Sequence, residues 1–191
     1  MEIIMIRHGQ SEDNVEGVFG TYNSSLSEKG KHQIEKTRER LKDFDYSRVY
    51  YSPFKRTIQT LEILQLDGKS DSRIGEYNFG KFAGMNFEEI EEEYPKEYDQ
   101  WNRNQNKYII EDGESLEIVY DRVKDFLEEI IEKDESVVLV THAGIIRLVL
   151  CWVFDDINYF FKFKIENGSI NIVSVDEKDF KRVEMTNYRD L

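Results

Sequence analysis

Short apolar runs that stop abruptly at polar or glycine-bearing clusters punctuate this chain. Ile3-Ile4-Met5-Ile6 ends at Arg7-His8-Gly9, Arg48-Val49-Tyr50-Tyr51 ends at Ser52-Pro53, and Val137-Val138-Leu139-Val140-Thr141 ends at His142-Ala143-Gly144. Runs this short, with a polar stop, predict strands buried on both faces, as in a parallel sheet. Nearer the end, Ile170-Asn171-Ile172-Val173-Ser174-Val175 alternates, and Phe180-Lys181-Arg182-Val183-Glu184 follows an acidic turn. These two predict an antiparallel hairpin, whose exposed edge would offer a pairing surface for a homodimer.

Between the strands the period changes to that of a helix. Ser27 is a candidate N-cap for a helix from Glu28 to Leu41. From Lys55 to Gln65, Ile58, Leu61 and Leu64 fall on one side. Ser115 caps the clearest helix, in which Leu116, Val119, Tyr120, Val123, Phe126, Leu127, Ile130 and Ile131 form one apolar stripe. The segment after Gly144 is apolar nearly all round and predicts a buried helix. Strands alternating with helices make an α/β layered fold with a largely parallel sheet. The stretch from about Asn86 to Glu114 is acidic and aromatic and loses its period after Tyr94-Pro95. It predicts a helical insertion or lid, with Glu88 to Glu93 as a solvated face. Tyr94, Tyr98, Trp101 and Tyr108 in it either stack on a ligand ring or belong to the core.

Length and charge narrow the picture. With 191 residues the chain suits one domain, 1–191. A net charge of −13 sets it against nucleic acid and anionic membrane surfaces. Any cation that meets a phosphate must therefore sit in a local pocket. The one cysteine, Cys151, lies in an apolar run and is read as core. The run Ile3 to Ile6 is too short for a signal peptide and meets Arg7 at once, so the expected compartment is the cytoplasm.

The chain has three histidines, and two of them, His8 and His142, stand at predicted strand ends. Ligands of open α/β sheets bind outside the carboxyl ends of strands. Arg7 precedes His8, and Arg56 follows a third strand end. Guanidinium groups hold phosphate oxygens with a planar fork. Two arginines and two histidines brought together would make a cationic pocket suited to a phosphoryl group. His32, on a helix, is read as structural or exposed.

Taken in order, these pieces resemble the histidine phosphatase superfamily, also called phosphoglycerate-mutase-like. The similar segments are Arg7-His8-Gly9-Gln10-Ser11 with Asn14, Leu26-Ser27-Glu28-Lys29-Gly30-Lys31-His32-Gln33, and Ser52 to Thr60 with its Ser-x-x-x-Arg-Thr-x-x-Thr spacing. Gly75 to Gly84, Gly113-Glu114-Ser115 and Val140-Thr141-His142-Ala143-Gly144 complete the order. The resemblance implies a three-layer α/β/α sandwich. It also implies that His8 is the nucleophile, that Arg7, Arg56, His142, Asn14 and Gly144 bind the phosphoryl group, and that Glu76 acts as acid and then base. No metal and no cofactor are implied. Asn23-Ser24-Ser25 and Phe82-Ala83 depart from the pattern, in loops that set specificity.

The implied activity is that of a phosphomonoesterase acting on a small phosphorylated metabolite. Glu76 to Gly84 and Gly113-Glu114-Ser115 look similar to the alpha-ribazole phosphatases. Three other readings stand beside it. A phosphoglycerate mutase would use the same His8 but need a bisphosphorylated primer. A non-catalytic binding module would usually lose the nucleophile or an arginine. A metal site would want a His-x-x-x-His or Cys-x-x-Cys spacing, which the sequence lacks.

Overall fold

A computed structural model of the chain describes residues 1–189. Its strands are β1 (Glu2–Arg7), β2 (Arg48–Tyr51), β3 (Lys69–Ser70), β4 (Val137–Thr141), β5 (Ile170–Val175) and β6 (Lys181–Tyr188). Its α-helices are α1 (Glu12–Glu16), α2 (Glu28–Leu41), α3 (Lys55–Leu64), α4 (Phe87–Glu93), α5 (Pro95–Arg103), α6 (Leu116–Ile131) and α7 (Ala143–Val153). The strands make one sheet in the order β3-β2-β4-β1-β5-β6. The first four in that order run parallel, while β5 and β6 are antiparallel to their neighbours.

The apolar runs are continuous because both faces of the sheet are covered. In β1, Ile4 and Ile6 pack with Ile34 and Leu41 of α2 and Leu61 and Leu64 of α3. Ile3 and Met5 face the other way, into a core built with α6 and α7. All four β1 side chains are fully buried. Each such side chain contributes roughly 1.5–3 kcal/mol relative to exposure. The result is a three-layer α/β/α sandwich.

The helix starts follow the chemistry of their caps. Ser27 Oγ accepts from the Gly30 N–H at 3.1 Å, and Ser115 Oγ from the Ile118 N–H at 3.3 Å. One expected face differs. Ile58 lies at the surface, while Arg56, Thr57, Thr60, Leu61 and Leu64 are the buried side of α3. The helix turns its polar motif residues inward because they hold the site. Phe180 is also exposed, in the hairpin turn, and β6 begins one residue later and runs on to Tyr188.

Residues 86–114 hold α4 and α5. Asn86 and Glu89 form a reciprocal capping box, and Pro95 starts α5. The glutamates of α4 are exposed around one buried Ile90. Trp101 and Ile110 are buried, and Tyr94, Tyr98 and Tyr108 lean on the same core. His32 is exposed beside Glu35, as expected. Cys151 is fully buried, and burial pushes its thiol up to about 12. Among the described residues no helix is long and apolar enough to cross a membrane.

Candidate active site

Three parallel strands end side by side, with β4 between β2 and β1. The ladders run one residue past the strands: the His8 N–H donates to Thr141 O and the Ser52 N–H to Val140 O, both at 3.0 Å. That extension brings Ser52, His142 and His8 abreast at the carboxyl edge. The two imidazoles meet edge to face, centroids 5.2 Å apart. Both are buried.

The hydrogen bonds assign the His8 tautomer. Nδ1 lies 2.7 Å from Gly9 O, which can only accept. Nε2 lies 3.2 Å from Arg56 Nε, which can only donate. Nδ1 therefore carries the proton, and the Nε2 lone pair faces the arginines. His142 Nε2 is 2.7 Å from Ser52 Oγ, and the Phe54 N–H reaches the same Oγ at 3.5 Å. We assign the Ser52 proton to His142 Nε2, with Ser52 Oγ accepting from the Phe54 N–H. His142 Nδ1–H is then a buried donor with no partner among the described residues.

Burial lowers the pKa of both histidines well below the ordinary 6.5, and the Arg56 charge adds to the effect in each. A lowered pKa means that the proton is harder to bind, so both rings stay neutral as pH falls through 6.5. Nitrogen-15 NMR of the ligand-free protein checks this. At pH 6 both rings should show neutral-tautomer shifts, with the proton on Nδ1 in each. A midpoint at or above 6.5 for either ring would contradict the arrangement.

The cations are held in place by backbone. Arg56 is 2% exposed and donates from a terminal nitrogen to Thr21 O at 2.6 Å. Its guanidinium also packs on the Phe54 ring, 4.9 Å from the centroid. Buried Asp13 accepts from the Thr21 N–H and hydroxyl, at 2.6 and 3.0 Å, and so fixes the loop that Arg56 binds. Arg7 donates to Ile165 O, and its buried Nε has no hydrogen-bond partner among the described residues. Desolvation lowers its pKa to about 10, still charged at neutral pH. Asn14 Oδ1 accepts from the Ser11 N–H and from Asn167 Nδ2 at 3.2 and 3.0 Å, which directs the amide nitrogen of Asn14 elsewhere.

Glu76 stands above the strand ends. Its Oε1 accepts from the Tyr77 N–H at 3.1 Å. A Cβ on Gly144 would collide with that same oxygen, so glycine here makes room for the carboxylate. Arg122 clamps the loop from below, donating to Arg73 O, Gly75 O and Glu76 O, and is itself held by Glu114. Glu76 and Gly144 open onto a cavity of about 330 Å³, with Arg147 and several aromatic rings in its wall. Among the described residues no group of three or more His, Cys, Asp or Glu gathers to hold a metal ion.

Residues 3–188 match the family model of the histidine phosphatase superfamily, branch 1. The chain belongs to that superfamily. It is 34% identical over 186 residues to phosphoserine phosphatase 1 of Hydrogenobacter thermophilus, covering 93% of this chain and 88% of that one. It is 32% identical over 155 residues to mouse 6-phosphofructo-2-kinase/fructose-2,6-bisphosphatase 1, covering 80% of this chain but only 32% of that protein. The fold overlays the alpha-ribazole phosphatase of Shigella flexneri with a TM-score of 0.92 at 21% identity, covering 100% of this chain and 98% of that one. As a histidine phosphatase, the protein is a phosphoric monoester hydrolase.

Several residues of the histidine phosphatase motifs bond to backbone. Gln33 Oε1 accepts from the Gln10 N–H, and Gln59 Oε1 from the Leu26 N–H, at 2.9 and 2.8 Å. Thr57 Oγ1 donates to Ser52 O, and Thr60 Oγ1 to Arg56 O, both at 2.8 Å. Gly9 is needed for contact with the Gly30 backbone: a Cβ there would strike Gly30 O. Sequence reasoning missed Ser52 as the partner of His142, and also Asp13, Asn167, Arg122 and Arg147. For Arg147 a signal existed, since it is the one charge in the otherwise apolar α7.

Proposed function

We propose that this protein hydrolyses small phosphate monoesters through a phosphohistidine at His8. The observation that carries the reading is the His8 tautomer: a neutral ring whose Nε2 lone pair faces Arg56. Neutral imidazole is a good nucleophile. In the first step Nε2 forms a bond to phosphorus and the bond to the ester oxygen breaks. Arg7, Arg56, His142 Nδ1–H and the amide nitrogen of Asn14 hold the equatorial oxygens, where negative charge is spread. Gly144 leaves the space in which Glu76 sits. Glu76 gives its proton to the leaving oxygen. In the second step Glu76 takes a proton from water, the water oxygen bonds to phosphorus, and the Nε2–phosphorus bond breaks.

We assign residues 86–114 to covering the site within a single domain, because Trp101 and Phe87 line the cavity beside Glu76. The aromatic walls suit a ring or a short carbon body. Alpha-ribazole 5'-phosphate and phosphoserine, named for relatives, are both within this class.

The test is phosphate release from phenyl phosphate by chelator-treated protein. Turnover that survives chelation supports the reading, and its loss with chelator would revive metal chemistry. Inorganic phosphate as product separates hydrolysis from a mutase, which would return an isomeric ester. Glu76→Gln should slow single-turnover phosphoryl transfer from an alkyl phosphate by about 10²-fold or more. The loss should be smaller with nitrophenyl phosphate, whose leaving oxygen needs little protonation. Equal losses with both esters would remove Glu76 from the acid role.

A further inference from the structure

The last strand, β6, is irregular where it meets β5. Ile170 pairs with Tyr188 and Ile172 with Met185, so Thr186 and Asn187 together stand opposite Asn171 alone. A bulge of this kind re-aims a side chain. Asn187 takes a φ of 56°, in the left-handed region that asparagine adopts more readily than most residues. Its N–H donates to Asn171 Oδ1 at 2.9 Å, and its side chain reaches the segment before β5. There Asn187 Oδ1 accepts from the Glu166 N–H at 2.8 Å, and Nδ2 donates to Lys164 O. Asn171 is fully buried, and its own amide nitrogen donates to Ser169 Oγ at 3.1 Å. A buried amide is costly unless its polar atoms are bonded, and these bonds hold Asn187 and the segment together.

The Glu166 N–H belongs to the same peptide group as Ile165 O, the carbonyl that accepts from the Arg7 guanidinium. Asn187 and Arg7 therefore grip opposite ends of one peptide plane. Among the described residues Ile165 O is the hydrogen-bond acceptor that orients the guanidinium, since Arg7 Nε has no partner. The Glu166 carboxylate does not replace it, being paired with Lys164 at 2.6 Å and Arg189 at 3.6 Å. Burial of the Ile165 side chain anchors the segment. It does not fix the peptide plane, which can turn about the two soft dihedrals that flank it. The bond from Asn187 stops that turn, and bonding at both ends polarises the peptide and strengthens its carbonyl as an acceptor. We propose that Asn187 is a positioning residue for the phosphoryl site, holding the Ile165–Glu166 peptide in the orientation that aims Arg7 at the transferring group. This rests on the reading of Arg7 as a phosphoryl ligand and extends it to the last strand, beyond the motifs that end at Gly144. Asn187 touches no reacting atom. Its effect runs through Arg7 and vanishes where Arg7 is absent.

The test is a double-mutant cycle on single-turnover hydrolysis of dinitrophenyl phosphate, an ester reactive enough for crippled variants to be followed. Asn187→Gly removes the side chain and suits the left-handed backbone. With Arg7 present it should slow the reaction about tenfold or more, the scale on which a displaced binding group is felt. In the Arg7→Ala protein the same change should cost less than about twofold. Loss by the same factor in both backgrounds would make Asn187 merely structural and overturn the proposal, as would an unimpaired Asn187→Gly. Melting curves establish that the variants are folded. Asn187→Ser, too short to span both peptides, takes the place of the glycine variant if that one does not fold. Orthophosphate binding, measured by calorimetry on the parent and on Asn187→Gly, separates this proposal from the phosphatase reading. Binding weakened about tenfold in Asn187→Gly, with no hydrolysis by the parent, sinks the phosphatase reading alone. Hydrolysis by the parent, with equal turnover and equal orthophosphate affinity in Asn187→Gly, sinks the positioning proposal alone.

Discussion

His8→Ala is expected to lower kcat/KM for phenyl phosphate by about 10⁴-fold or more, the scale on which loss of a covalent nucleophile is felt. No neighbour can take its place. His142 is the other imidazole at the strand ends, but its Nε2 is tied to Ser52 and its Nδ1 carries a proton in the assigned tautomer. Arg56 and Arg7 are cations. The substitution removes two hydrogen bonds, to Gly9 O and from Arg56 Nε, and leaves β1 and its ladder to β4 unchanged. The variant should therefore fold, and thermal melting beside the parent establishes that. Retention of more than about a hundredth of the parent rate by a folded variant would move the nucleophile elsewhere.

Arg56→Ala is the second large effect, expected at about 10³-fold in kcat, near the upper end for loss of one preorganised donor to a transition-state oxyanion. Arg56 orients the His8 lone pair, anchors the loop at Thr21 and supplies positive charge from one buried position. Removing it also leaves the Thr21 carbonyl without its donor, at a cost of about 1–3 kcal/mol if water does not replace it. A lower melting temperature should accompany the lost activity. Arg56→Lys separates the contributions. It keeps a charge but loses the planar fork, so it should recover little of the rate. Recovery to within a few-fold of the parent would mean that charge alone suffices.

The fold was legible where burial leaves a simple mark. Ile3 to Ile6 and Val137 to Thr141 are covered on both faces, so their runs are unbroken and their ends match the strands. The amphipathic stripe after Ser115 likewise matches α6. Illegible elements are short or exposed. The two-residue β3 buries nothing, and α1 is a single capped turn. Ile58 departs from the apolar side it shares by spacing with Leu61 and Leu64 and lies at the surface of α3. The site needs Arg56, Thr57 and Thr60 inward instead, and an isoleucine fits outside at modest cost.

In the site, the residues at strand ends announced themselves and those that position them did not. Arg7, His8 and His142 follow apolar runs, where a polar residue stands out. Asp13, Asn167 and Arg122 lie in ordinary polar surroundings, and only the fold reveals that they hold Thr21, Asn14 and the Glu76 loop. Ser52 stands at a strand stop and opens the Ser-x-x-x-Arg-Thr-x-x-Thr spacing, but its contact with His142 spans 90 positions and is visible only in the fold. Arg147 was different in kind. A lone charge in a buried helix is a legible anomaly, while the cavity it lines is seen only in the fold.

The central claim is a covalent phosphoryl group on His8 Nε2. The most direct measurement mixes parent protein with isotopically labelled phenyl phosphate, quenches rapidly in alkali, and locates the label by peptide mass spectrometry. The account requires an acid-labile, base-stable phosphoryl group on the peptide that contains His8, formed within the first turnover and absent from His8→Ala. Label on another residue, or turnover with no trapped intermediate and inversion at phosphorus, would contradict it.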